Sequence, residues 1–162
     1  MSTQSGKATE TSEETRKERV DRELAELLNG LRVLLPGVQV LLAFLLSVPF
    51  SARFADVNDF QVSVYYVTLV AAALAVGLLG TPAAQHRVLF RASEKERMLR
   101  RSNRYALLGS FAVVVAVTAG TLLVVDFVFR MSVAWVTAAV FACVMMWAWF
   151  IEPALHRSRN IS

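Results

Sequence analysis

Apolar residues along this chain fall into four long runs, Leu34 to Phe50, Val62 to Gly80, Tyr105 to Val125 and Met131 to Ile151, separated by short polar breaks. A helix needs about 20 residues to cross a hydrocarbon layer of about 30 Å. The first run reaches that length when Leu31, Arg32 and Val33 join it, with Arg32 snorkelling to the headgroups. The predicted spans are therefore residues 31–50, 62–80, 105–125 and 131–151. No charge lies inside any run, where one Arg, Lys or Asp would cost about 2.5–3.5 kcal/mol at the midplane. A soluble bundle would need polar helix faces, which these runs lack. The expected fold is all-α: a polytopic membrane protein with four transmembrane helices and an N-terminal amphipathic cytoplasmic helix.

That amphipathic helix is predicted over residues 11–32, after a tail, residues 1–10, whose Ser, Thr, Gly and charges can bury no face. Thr11 and Glu14 have capping-box spacing, and Val20, Leu24, Leu27, Leu28, Leu31 and Leu35 form one helical stripe. The pairs Glu13 with Lys17 and Glu18 with Arg22 support the polar side. The stripe can bury against the membrane interface, against the protein's own basic segment, or against the same helix of a second subunit.

Charge sets the expected orientation. The chain has 17 Lys and Arg against 13 Asp and Glu, a net of +4, in 162 residues that are 56% hydrophobic. Residues 1–33 hold six of the basic residues, residues 81–104 hold seven and the tail 152–162 holds two, leaving only Arg53 and Arg130 for the other side. Fifteen against two places both termini and the 81–104 loop in the cytoplasm. The mostly polar stretch of some thirty residues before the first run does not resemble a signal peptide, so that span is expected to be retained. The loop carries Arg87, Arg91, Lys95, Arg97, Arg100, Arg101 and Arg104 against Glu94 and Glu96, a net of +5, and is the expected contact for anionic lipid headgroups. Positive-inside anchoring explains this charge more simply than nucleic-acid binding, so no nucleic-acid partner is expected.

Helices in lipid associate through close approach of small residues. Ala73 and Gly77, then Ala112, Ala116 and Gly120, then Ala134, Ala138 and Ala142 give four-residue stripes on spans two, three and four. Asp126 and Arg130, one turn apart, are placed to pair at the mouth of the last hairpin. Pro82 is expected to end or kink span two. Span one stands apart, because Pro36 removes a backbone donor, Gly37 admits a neighbour to the backbone, and Gln39 places an amide inside the run. Pro36, Gly37 and Gln39 are thus the candidate polar centre, with the Gln39 amide directed to the carbonyl that Pro36 frees or to Thr118 or Ser110. A transporter places ion ligands at such a broken helix. A kinked helix whose Gln39 bonds a neighbouring span is the plainer alternative.

Enzymatic chemistry finds no footing. No carboxylate or histidine lies within a run, no nucleophile stands beside a base, and no glycine-rich phosphate loop occurs. Cys143 is a single thiol in the middle of span four, where it reads as a small apolar filler. Neither a metal nor a cofactor is expected.

The stretch Leu31-Arg32-Val33-Leu34-Leu35-Pro36-Gly37-Val38-Gln39-Val40, continuing through Phe44 to Phe50, resembles the first span of an uncharacterised family of small actinobacterial four-span membrane proteins classed under a domain of unknown function. Pro82-Ala83-Ala84 followed by His86-Arg87-Val88-Leu89-Phe90-Arg91, and the upstream Leu24 to Asn29, resemble further blocks of that family. The likeness covers Arg19 to Asp126. An acidic residue in many members stands where this chain has Gly30, and an aromatic where it has Gln85, both outside the spans. The resemblance implies the four-span topology and no mechanism, although some relatives carry a sodium/proton antiporter label.

The functional expectation is a non-enzymatic membrane interaction or scaffold protein. A small cation/proton transporter using span one is the alternative. The expected partners are the lipid bilayer, its anionic headgroups, and either a second copy of the chain or another membrane protein.

Overall fold

A computed structural model describes residues 3–89, 95–152 and 154–155. Four helices make up nearly all of it: α1 over Thr3–Ser47, α2 over Asp59–Leu89, α3 over Lys95–Val128 and α4 over Met131–Met146. Each includes or leads a stretch long and apolar enough to cross a membrane, namely Ala25–Phe50, Asp59–Ala84, Arg101–Val128 and Met131–Ile151.

Two prolines expected to interrupt helices do not end them. Pro36 lies inside α1 and Pro82 inside α2, and both helices run on past them. The backbone is also helical from Thr3, so the expected tail at residues 1–10 and the cap at Thr11 give way to one 45-residue helix. Extending an existing helix by one residue fixes little conformational freedom, whereas nucleating a second helix is costly, which favours continuation through a polar segment rich in Glu, Lys and Arg.

α1 does end at a proline. Ser47 donates from its hydroxyl to the Phe44 carbonyl at 2.7 Å, and Pro49 then sits in a 3-10 turn over Val48–Phe50. A second such turn, Ala52–Asp56, leads to Asn58 and the start of α2. The α3–α4 turn is shorter: the Arg130 carbonyl accepts from the Val133 and Ala134 amides at 2.9 and 3.2 Å, opening α4 directly. Neither connection uses a positive φ.

α2 and α3 share the most extensive interface, with α1 packed mainly against α2 and α4 against α3. Ala72, Ala75 and Leu79 of α2 are buried, as are Ala112, Val113 and Ala116 of α3. The two helices come close at Gly109, where an added Cβ would lie 2.7 Å from Leu79 Cδ2 and 3.2 Å from the Leu79 backbone nitrogen. The Leu79 side chain can swing aside, but its backbone would have to give by a few tenths of an ångström. The expected seams on spans three and four include buried Ala112, Ala116, Ala134 and Ala138, but that on span two is corrected: Ala73 and Gly77 are exposed and the contact uses Thr68, Ala72 and Ala75. Ala72 and Ala73 are adjacent on an almost uniformly apolar helix, so composition alone offers two small-residue stripes about 100° apart.

The core divides into three clusters along the bundle. Val38, Ala75, Leu79, Ala112 and Val113 form one, with Leu34, Leu35 and Trp149 packed on it. Leu45, Tyr65, Ala71, Ala72 and Ala116 form the second. Leu122, Ala134 and Ala138, with Phe60 and Val64, form the third, where α4 meets α3.

Candidate functional site

The polar interactions between helices gather at the end of the bundle that holds the α1–α2 connection and the α3–α4 turn. There Asn58 and Gln61 cap α2 reciprocally: the Gln61 amide N–H donates to Asn58 Oδ1 at 2.9 Å, and the Asn58 N–H donates to Gln61 Oε1 at 3.2 Å. This capping box satisfies two backbone donors with side-chain acceptors three residues apart. Gln61 then uses its remaining group across the fold, donating from Nε2 to Asp126 Oδ2 at 2.9 Å. Gln61 is buried and Asp126 half-buried, so the bond is partly shielded from water. The carboxylate near the C-terminal end of α3 opposes that helix's dipole, but the bond to Gln61 brings it to the positively polarised start of α2.

Aromatic contacts surround this clasp. The Arg53 guanidinium lies 5.8 Å from the centroid of Phe127, tying the 3-10 turn to the end of α3. Phe60 and Trp135 meet at 6.1 Å between the starts of α2 and α4, and Phe54 meets Tyr65 edge-on at 5.6 Å. The expected Asp126–Arg130 pair is replaced by Gln61–Asp126, because the backbone of Arg130 turns into α4 while Asp126 remains on the last turn of α3.

Tyr65 closes the gap left by Pro49. In a helix the Leu45 carbonyl would accept from the amide of residue 49, but proline has none. The buried Tyr65 hydroxyl donates to that carbonyl at 2.8 Å instead. Tyr65→Phe keeps the ring and its contact with Phe54 but orphans the Leu45 carbonyl, and is expected to lower stability by about 1–3 kcal/mol. Unfolding of the two proteins in the same detergent micelles checks this, and equal stability would show that the carbonyl finds another donor.

The candidate polar centre lies elsewhere and does not form a centre. Pro36, Gly37 and Gln39 are all exposed, nothing approaches within 4 Å of a Cβ built on Gly37, and the neighbouring Val38 turns inward. Gln39 bonds neither Thr118 nor Ser110. The carbonyl freed by Pro36 is that of Arg32, about 10 Å along the axis from Gln39 and beyond its side chain. The Oγ1 of Thr118 and the Oγ of Ser102 are buried without a partner among the described residues.

Of the basic residues, Arg101 and Arg104 are exposed on α3. Arg91 lies outside the described residues, as do the side chains of Arg87, Lys95, Arg97 and Arg100. Among the described residues no three His, Cys, Asp or Glu side chains gather as a metal site. Cys143 is exposed on α4.

Four long apolar helices, fastened at one end by a polar clasp and an aromatic collar, define an all-helical protein of a kind compatible with multi-pass insertion in a membrane. The chain belongs to a family described as a family of unknown function (DUF6328), whose model matches residues 13–153. That match runs beyond the Arg19 to Asp126 stretch of the resemblance and takes in α4. No curated protein and no solved structure matches the chain.

Proposed function

We propose that this chain is an integral membrane protein of a bacterial plasma membrane that acts by association, as a non-enzymatic interaction or scaffold protein. In this reading its four apolar helices cross the bilayer, and both termini and the 81–104 segment are cytoplasmic. The observation that carries the membrane reading is the outward face of the bundle: Val33 is 77% exposed, Phe44 70% and Val136 64%, and similar side chains cover all four helices. Water would not tolerate such a continuous apolar surface on a monomer. The basic residues, Arg101 and Arg104 among them, then contact anionic headgroups, and the amphipathic stripe of residues 11–32 is available to dock on the interface or on a partner.

Association fits what the described residues hold. The polar groups that bridge helices, Gln61 with Asp126 and Tyr65 with the Leu45 carbonyl, brace the bundle. The transporter alternative would use Pro36 and Gly37, but α1 runs on past both, and the outward position of Gln39 removes the amide ligand such a site would use.

Two measurements test the reading. In a Cys143→Ser background, Asp56→Cys should react with a membrane-impermeant maleimide on intact cells, and Ser93→Cys only after permeabilisation; the reverse pattern overturns the orientation. Proteoliposomes of the purified chain should show no cation-dependent proton flux, and flux abolished in a folded α1 variant would replace association with transport.

A further inference from the structure

We infer that the chain pairs with a second copy of itself through the exposed face of α1 centred on Gln39. The inference rests on the bilayer reading above and names the partner of the association proposed there.

Gln39 is exposed and has no hydrogen-bond partner among the described residues. It stands seven residues beyond Arg32, about 10 Å deeper at 1.5 Å per residue, well within a hydrocarbon layer of about 30 Å. Its side chain is too short to snorkel as Lys and Arg do, and the freed Arg32 carbonyl is two turns away. Lipid tails offer neither donor nor acceptor, so an amide at this depth is strongly driven to find a protein partner.

The surrounding face has the geometry of a helix pair. Pro36, Gln39, Ala43 and Leu46 of α1 are all exposed and recur at spacings of three and four, with Leu46 54% open, and the exposed Phe50 follows in the 3-10 turn. This 3.5-residue recurrence is the seam of two helices crossing at about +20°. Ala43, one turn from Gln39, allows close approach.

Self-pairing is the occupant that the chemistry favours. Copies inserted by the same route share one orientation, so a two-fold axis along the membrane normal sets each residue of this seam opposite its counterpart at equal depth. A carboxamide carries both donor and acceptor, so two Gln39 side chains can satisfy each other reciprocally. On the other helices the exposed amide and hydroxyl side chains lie near the ends of the spans, Asn103 on α3, Tyr66 on α2 and Ser132 on α4, while the middle of the α2 face offers Ala73 and Gly77 and that of α4 Cys143 and Val144.

The full-length chain in phosphatidylcholine–phosphatidylglycerol vesicles provides the test, with Cys143→Ser as background and copper-phenanthroline as oxidant. Ala43→Cys is expected to give a cross-linked dimer, and Ala73→Cys none. Association measured by energy transfer between labelled copies should weaken about tenfold in Gln39→Leu, the loss of two intramembrane hydrogen bonds, and be largely kept in Gln39→Asn. Retention of the protein after carbonate washing is scored in parallel. A retained protein that stays monomeric, that associates equally with Gln39→Leu, or that cross-links only through Ala73→Cys overturns the pairing and leaves the bilayer reading intact; release by carbonate overturns both.

Discussion

Gln61→Leu is expected to destabilise the protein by about 2–4 kcal/mol, although it places a more apolar residue on an apolar helix. Loss of the Gln61 half of the capping box, the bond from the Asn58 N–H, removes about 0.5–1.5 kcal/mol, and loss of a hydrogen bond to a charged group about 1.5–3 kcal/mol. Both vanish together, because one side chain supplies the acceptor to the Asn58 N–H and the donor to Asp126. The half-buried carboxylate is then left without its partner. Gln61→Glu separates the two roles. It keeps an acceptor for the cap but sets a second carboxylate against Asp126, so at neutral pH the two charges repel. Adding Asp126→Asn restores a donor opposite the new carboxylate, so the double variant should regain most of the stability that Gln61→Glu loses. Unfolding curves of the two variants in micelles check this; equal stability would mean that the two side chains separate.

Gly109→Leu should cost at least as much as the upper part of the about 1–3 kcal/mol range for overpacking, and by a different route. Even the first carbon of a side chain would lie 2.7 Å from the end of Leu79 and 3.2 Å from its backbone nitrogen. The Leu79 methyl can rotate away, but the backbone contact can be relieved only by moving α2 from α3. Gly109→Ala isolates this first step. Combined with Leu79→Ala, which opens room at the same point, it should be less destabilising than the two single changes added together, with a coupling of about 1 kcal/mol. Strict additivity in a double-mutant cycle would mean that the helices do not meet here.

The four helices were legible because long uncharged apolar runs carry their own length measure. What the runs conceal is which side of each helix faces inward. A surface helix announces its buried face by polar residues on the other, but here both sides are apolar and the usual period is missing. Gln39 shows the consequence: its depth along α1 is readable, its direction is not, and it points outward while Val38 is buried. The same ambiguity misplaced the α2 seam by one residue, from Ala72 to Ala73. The clasp was partly written in the chain. Asn58 and Gln61 stand three apart immediately before an apolar run, a capping pattern, but the reach from Gln61 to Asp126 spans 65 residues and no local rule foretells it. Pro49 likewise identifies Leu45 as the carbonyl without a helical donor, while nothing near it names Tyr65 as the replacement.

Beyond α4 the chain winds more loosely. Trp147–Ile151 forms a π-turn, the Glu152 amide donating to the Trp147 carbonyl five residues back, and Phe150 meets Phe111 edge-on at 6.3 Å across to α3. One more residue is held in this turn than an α-helix would take. Glu152, Ala154 and Leu155 are therefore rotated by about 100° from the positions a regular helix would give them. Residue number in this turn, more than residue type, decides which side of the bundle these three take. A one-residue deletion here would turn them to a different side, while many substitutions would leave them where they are.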